Sequence, residues 1–95
     1  MRLLVKGICR RTSGPGEPFE ERSLVYEDVA SLIGKTTGLP FTGATLTIIS
    51  VGERTRIRAS LDDQSKEISL KNDIEEAITF ERGILEVKIY LRMEG

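Results

Sequence analysis

The cleanest alternation in the chain runs from Ile84 to Arg92, where Leu85, Val87, Ile89 and Leu91 fall on one face and Glu86, Lys88, Tyr90 and Arg92 on the other. A period of two is that of a half-buried strand. Arg54 to Leu61 alternates as strictly, setting Thr55, Ile57, Ala59 and Leu61 against Arg54, Arg56, Arg58 and Ser60. The pattern predicts a strand with an arginine face. Near the start, Leu3, Val5 and Cys9 share one face while Leu4 and Ile8 occupy the other, which predicts a central strand buried on both sides. Residues 44–51, rich in Thr, Ile and Val, predict another strand, and Gly52-Glu53 turns it into the arginine strand.

Two segments carry helical spacing instead. Between Tyr26 and Thr37, Val29, Leu32 and Ile33 stand at i, i+3 and i+4, with Glu27 and Asp28 in the first turn, where acids favour the helix dipole. They predict the main helix, capped by Gly38 and stopped by Pro40. Asn72-Asp73-Ile74-Glu75 sets a capping residue three positions before a Glu, and Ile74, Ala77 and Ile78 share a side. A short second helix is expected there, ended by Gly83. The breakers Ser13, Gly14, Pro15, Gly16 and Pro18 mark Thr12 to Pro18 as a flexible loop before a short strand around Phe19 to Leu24. Asp62 to Ser65 reads as a turn and Glu67 to Leu70 as a short strand or extended connection.

Composition narrows the function classes. A chain of 95 residues, 39% hydrophobic and 31% charged, has the balance of one globular domain spanning residues 1–95. No apolar run approaches the roughly 20 residues needed to cross a bilayer, and no signal segment opens the chain, so a soluble cytoplasmic protein is expected. With one cysteine, Cys9, and no histidine, an internal disulfide, a zinc site and a Cys–His nucleophile all lack their parts. No metal, cofactor or enzymatic activity is therefore expected.

The formal net charge of −1 argues against nucleic acid and membranes as partners, since both select a basic excess. That total hides an asymmetry. Arg2, Lys6, Arg10 and Arg11 open the chain with no acid among them, whereas residues 62–81 carry seven acids against Lys66 and Lys71. The candidate basic face is Lys6, Arg10 and Arg11, and the candidate acidic face is Asp62, Asp63, Asp73, Glu75 and Glu76. Complementary faces of this kind orient partners and speed their encounter. Arg54, Arg56 and Arg58 could engage nucleic acid or an acidic protein, but protection of an edge strand from aggregation is the preferred reading.

The order strand, strand, helix, strand, strand, short strand, short helix, strand predicts an α+β fold: a ubiquitin-like β-grasp, with a mixed sheet of four to five strands on one main helix and a second short helix. Its first and last strands would pair in parallel at the sheet centre. The opening Met-Arg-Leu-Leu-Val-Lys-Gly, the long helix and the closing Leu-Glu-Val-Lys-Ile-Tyr-Leu-Arg-Met-Glu-Gly resemble the start, middle and end of ubiquitin-like proteins. Within that superfamily the chain most resembles a PB1 domain. Lys6, Arg10 and Arg11 are similar to its basic residues, Asp62 and Asp63 followed by Asp73-Ile74-Glu75-Glu76-Ala77-Ile78 to its acidic region, and Tyr26-Glu27-Asp28-Val29 to its first helix opening. The resemblance implies a non-catalytic protein–protein interaction domain in scaffolding or signalling, pairing head to tail with another copy or with a heterotypic PB1-like partner. An alternative is a ubiquitin-like modifier or sulfur carrier acting through Gly95, because Arg92-Met93-Glu94-Gly95 resembles the flexible tail of such proteins.

Overall fold

The computed structural model describes residues 1–11, 20–39 and 43–95. The breaker-rich segment Thr12 to Pro18, the strand start at Phe19 and the helix stop at Pro40 lie outside the described residues. The elements are β1 (Arg2–Arg11), β2 (Glu20–Tyr26), a single 3-10 turn (Val29–Leu32), β3 (Thr36–Gly38), β4 (Thr45–Ser50), β5 (Arg54–Leu61), β6 (Gln64–Lys71), β7 (Glu76–Arg82) and β8 (Leu85–Glu94). They form two four-stranded antiparallel sheets, ordered β2-β1-β8-β7 and β3-β4-β5-β6. The α+β expectation is therefore overturned. Among the described residues there is no main helix, and a ubiquitin-like β-grasp does not describe this chain.

Both expected helices fail for local reasons. In the first segment Tyr26 ends β2, paired with Leu3, and Gly34 turns at φ +79°. Thr36, Thr37 and Gly38 then pair with Thr47, Leu46 and Thr45. Of the three periodic apolar residues only Val29 is fully buried, while Ile33 is exposed and bridges Ile48 in parallel. A window holding Val, Ile, Thr and Gly has weak helix propensity, and three matching positions do not offset it. In the second segment Asp73 takes φ +65° and its N–H donates to the Met93 carbonyl at 2.9 Å, which breaks a helical start. From Glu76 onward the chain alternates, burying Ile78 and Phe80 against β8 partners Ile89 and Val87. Gly83, at φ +60°, does not end a helix but turns the β7–β8 hairpin, in which Arg82 faces Leu85.

The two segments expected as helices supply the edge strands β3 and β7 instead. Every pair of hydrogen-bonded neighbours in the two sheets runs antiparallel. β1 accordingly pairs antiparallel with β8 over ten registered pairs, from Arg2↔Glu94 to Arg11↔Leu85. The parallel pairing expected at the centre is corrected by this register.

The inner faces of the two sheets share one core. Leu3, Val5, Cys9, Ile78, Phe80, Val87, Ile89, Leu91 and Met93 meet Leu46, Ile48, Ile57, Ala59, Leu61 and Leu70, with Val29, Leu39 and Ala44 added from the connections. One seam of the sandwich is closed by side chains. Gln64 on β6 donates to the Glu81 carbonyl of β7 at 2.6 Å, and the Lys66 ammonium donates to the Thr79 carbonyl while lying 5.6 Å from the Phe80 ring centroid. These donors satisfy carbonyls that an edge strand otherwise leaves open. Thr55 faces the core from β5, fully buried, and its hydroxyl has no hydrogen-bond partner.

Phe80→Ala should cost about 3–5 kcal/mol of unfolding free energy, the range for an aromatic removed from a sealed core. Thr55→Val should instead stabilise by about 1 kcal/mol, since it deletes an unsatisfied buried hydroxyl and preserves shape. Urea midpoints of both variants check these values, and a destabilised Thr55→Val would show that the hydroxyl is bonded in solution.

Candidate functional site

The outward face of the first sheet is built by the β1–β8 and β1–β2 registers. Lys6 stands between Ser23 on β2 and Tyr90 on β8, and Leu4 between Val25 and Arg92. Because strand neighbours share a face, these six side chains converge on one patch. They line a groove of about 220 Å³ that Glu75, at the entry to β7, closes from the far side. Its floor is apolar, with Leu4 and a Val25 that is 43% exposed, while its rim carries Lys6, Arg92 and the Glu75 carboxylate. The Lys6 ammonium is held by Glu21 at 3.0 Å and the Arg92 guanidinium by Glu94 at 2.6 Å. Glu75 makes no ion pair among the described residues.

The two expected faces do not stand apart. Lys6 and Arg10 point outward from β1, and Arg11, at the strand end, has the opposite parity. Of the acidic set, Glu75 shares the groove with Lys6. Asp73 precedes it, and Glu76 opens β7 opposite Leu91. Asp62 and Asp63 form the turn between β5 and β6, at the other end of the eight-residue β6, about 25 Å from Asp73 at the rise of a strand. Asp62 there binds Arg82 through both carboxylate oxygens at 2.9 Å. Leu4, Ser23, Val25, Tyr90 and Arg92 line the groove but were missed as site residues from the sequence. The alternation of β8 already turned Tyr90 and Arg92 outward, but only the pairing register sets them beside Lys6.

The arginine face lies on the opposite side of the sandwich. β5 sits between β4 and β6, hydrogen-bonded to both, so it is a central strand and the edge-protection reading of Arg54, Arg56 and Arg58 is corrected. Arg56 and Arg58 both reach Glu67 on β6, Arg58 at 3.4 Å, and their side chains remain 56% and 52% exposed. Arg54 faces Lys71 directly.

Gly95 follows a strand rather than a tail. Arg92, Met93 and Glu94 belong to β8, Met93 is fully buried opposite Leu3, and Arg2 clasps Glu94 at 2.9 Å. Gly95 lines an open recess of about 450 Å³ with Met1, Arg2, Glu27, Asp73 and Glu94. Among the described residues no group of three or more His, Cys, Asp or Glu side chains could hold a metal ion. No helix among them is long and apolar enough to cross a membrane. Cys9 is buried.

Three carboxyls titrate below the ordinary range because guanidiniums bind their charged forms: Asp62 beside Arg82, Glu67 beside Arg56 and Glu94 beside Arg2. A depressed folded value means that the unfolded chain binds protons first, so the linked stabilisation is complete above the unfolded carboxylate range and is lost as the pH falls through the folded values. Unfolding midpoints should therefore hold from neutrality to about pH 5 and decline below about pH 4. The decline should flatten in high salt, because all three pairs are at the surface. Thermal melts across pH at two ionic strengths check this, and a midpoint unchanged from pH 6 to pH 2 would contradict it.

No protein-family model, curated protein or solved structure matches this chain.

Proposed function

We infer that this chain is a non-catalytic protein-binding domain whose partner docks on the outward face of the β2-β1-β8-β7 sheet. The observation that carries the reading is the groove, an apolar floor ringed by Lys6, Tyr90, Arg92 and Glu75. Tyrosine and arginine around a small apolar centre are the composition of interface cores. Its 220 Å³ falls below the roughly 300–1,000 Å³ of sites that enclose a whole small molecule, and suits one anchoring side chain of a protein segment. Lys6 and Arg92 already hold acids of this chain, whereas Glu75 does not. The fitting partner therefore inserts an apolar side chain over Leu4 and Val25 and brings a cation to Glu75. The lone buried Cys9 supports a reducing, cytoplasmic setting for this encounter.

A peptide display library selected on the protein should yield sequences with an apolar residue near a Lys or Arg, and their binding should shift the amide resonances of Leu4, Val25 and Tyr90. Val25→Asp should weaken them by about 2 kcal/mol, as for an interface anchor, without lowering the melting temperature. Selection that enriches nothing, or peptides that bind Val25→Asp as well as the parent, would overturn the reading.

A further inference from the structure

We propose that the outward face of β5 is a second docking surface, for an extended acidic segment of a partner protein whose carboxylates, at every second residue, seat on Arg54, Arg56 and Arg58. This surface is independent of the groove, since the two sheets turn their outer faces in opposite directions.

The arginines need a reason that the fold does not supply. A central strand has both sides paired and requires no charge to block aggregation, and guanidiniums add nothing to a core they face away from. Their placement is also costly. Arg54 stands directly across from Lys71, and like charges so opposed destabilise a strand pair. Neither has an ion pair among the described residues, and Glu53, in the turn just before β5, joins none of the four cations. Arg56 and Arg58 share one carboxylate, Glu67. On the outer face of these two adjacent strands four cations thus stand with one acid between them.

The surroundings shape the surface for a chain lying flat. Around the arginines the remaining cross-strand neighbours, besides Glu67 and Lys71, are short hydroxyls: Ser50 and Ser69 flank Arg56, and Thr47 stands beside Arg58. Ser60 continues the row, bonded to Ser65 at 3.2 Å. The guanidiniums rise above this floor at the strand repeat of about 6.8 Å, and same-face side chains of any extended peptide repeat at that same spacing. Carboxylates at alternate positions meet the arginines one for one, each able to accept paired guanidinium donors. Glu67 already displays the contact, one carboxylate spanning two arginines two residues apart.

Other polyanions fit less well. None of the exposed large hydrophobics, Met1, Val25, Ile33, Ile74 and Ile84, lies on β4, β5 or β6, so the face has nothing to sink into a bilayer. It has no aromatic ring on which bases would stack, and the chain as a whole is acidic at −1.

The experiment uses the whole chain and two fluorescent peptides of about nine residues, ~30 Å when extended, one alternating Glu with Ser and one carrying the same Glu residues in a single block. The alternating peptide should bind about tenfold more tightly than the block, and raising salt from about 50 to 300 mM should weaken it strongly. Arg54→Gln should reduce its affinity about fivefold, and Arg54→Gln, Arg56→Gln and Arg58→Gln together should abolish binding. If the triple variant unfolds, Arg54→Gln and Lys71→Gln decide, since neither side chain holds an acid of the fold. Absence of binding, equal affinity for the two arrangements, or an unchanged Arg54→Gln would overturn the proposal. So would tighter binding of an oligothymidylate of matching length, which would assign the face to nucleic acid.

Discussion

Everything in this domain hangs on the pairing of its first and last strands. β1 and β8 are the two central strands of their sheet, and they give the core Leu3, Val5, Val87, Ile89, Leu91 and Met93 from inward positions two residues apart. The register is held strongly, because a slip of one residue would drive Lys6, Lys88, Tyr90 and Arg92 into the core and expose the aliphatic set. The same constraint fixes the outer face. Side chains far apart in sequence become neighbours there only because the inner ones are buried.

Strand identity was legible wherever one face is apolar and the other charged. β5 and β8 declare themselves through alternation, and the Thr/Ile/Val run of β4 does so through composition. β7 was not legible. Its Ile78 and Phe80 alternate correctly, but Ile74, Ala77 and Ile78 also satisfy a helical spacing, and Asn72 to Glu75 mimics a capping box. The deciding facts are the φ of Asp73 and the available partner face of β8, both products of the tertiary fold. The main-helix segment failed likewise: Thr36 and Thr37 gain more from pairing with β4 than from extending one turn of 3-10 helix. A strand read as a helix changes more than one element, because β3 and β7 each complete the edge of a four-stranded sheet.

The candidate surfaces were legible residue by residue and not as surfaces. Lys6 stands out as a charge amid Leu4, Val5 and Ile8, and Arg54, Arg56 and Arg58 as a row. Whether that row lies at an edge or at a centre is a property of topology, and the answer reverses its meaning. The acidic set divides because β6 runs its full length between Asp63 and Asp73, so charge clustered in sequence is spread in space. The outer faces differ accordingly. One is a small apolar recess whose cations are compensated and whose Glu75 is not, the other a flat hydroxyl floor under a surplus of guanidinium.

The seam where β6 meets β7 is joined by side chains, the donors Gln64 and Lys66 and at one end the Asp62–Arg82 pair, not by a ladder of peptide hydrogen bonds. A ladder resists sliding because each rung depends on the next, whereas Gln64 and Lys66 are separate tethers on flexible stems. Along this line the two sheets are therefore held to each other by side chains and by the shared core alone, and loss of Gln64 or Lys66 removes a tether without breaking any strand pairing.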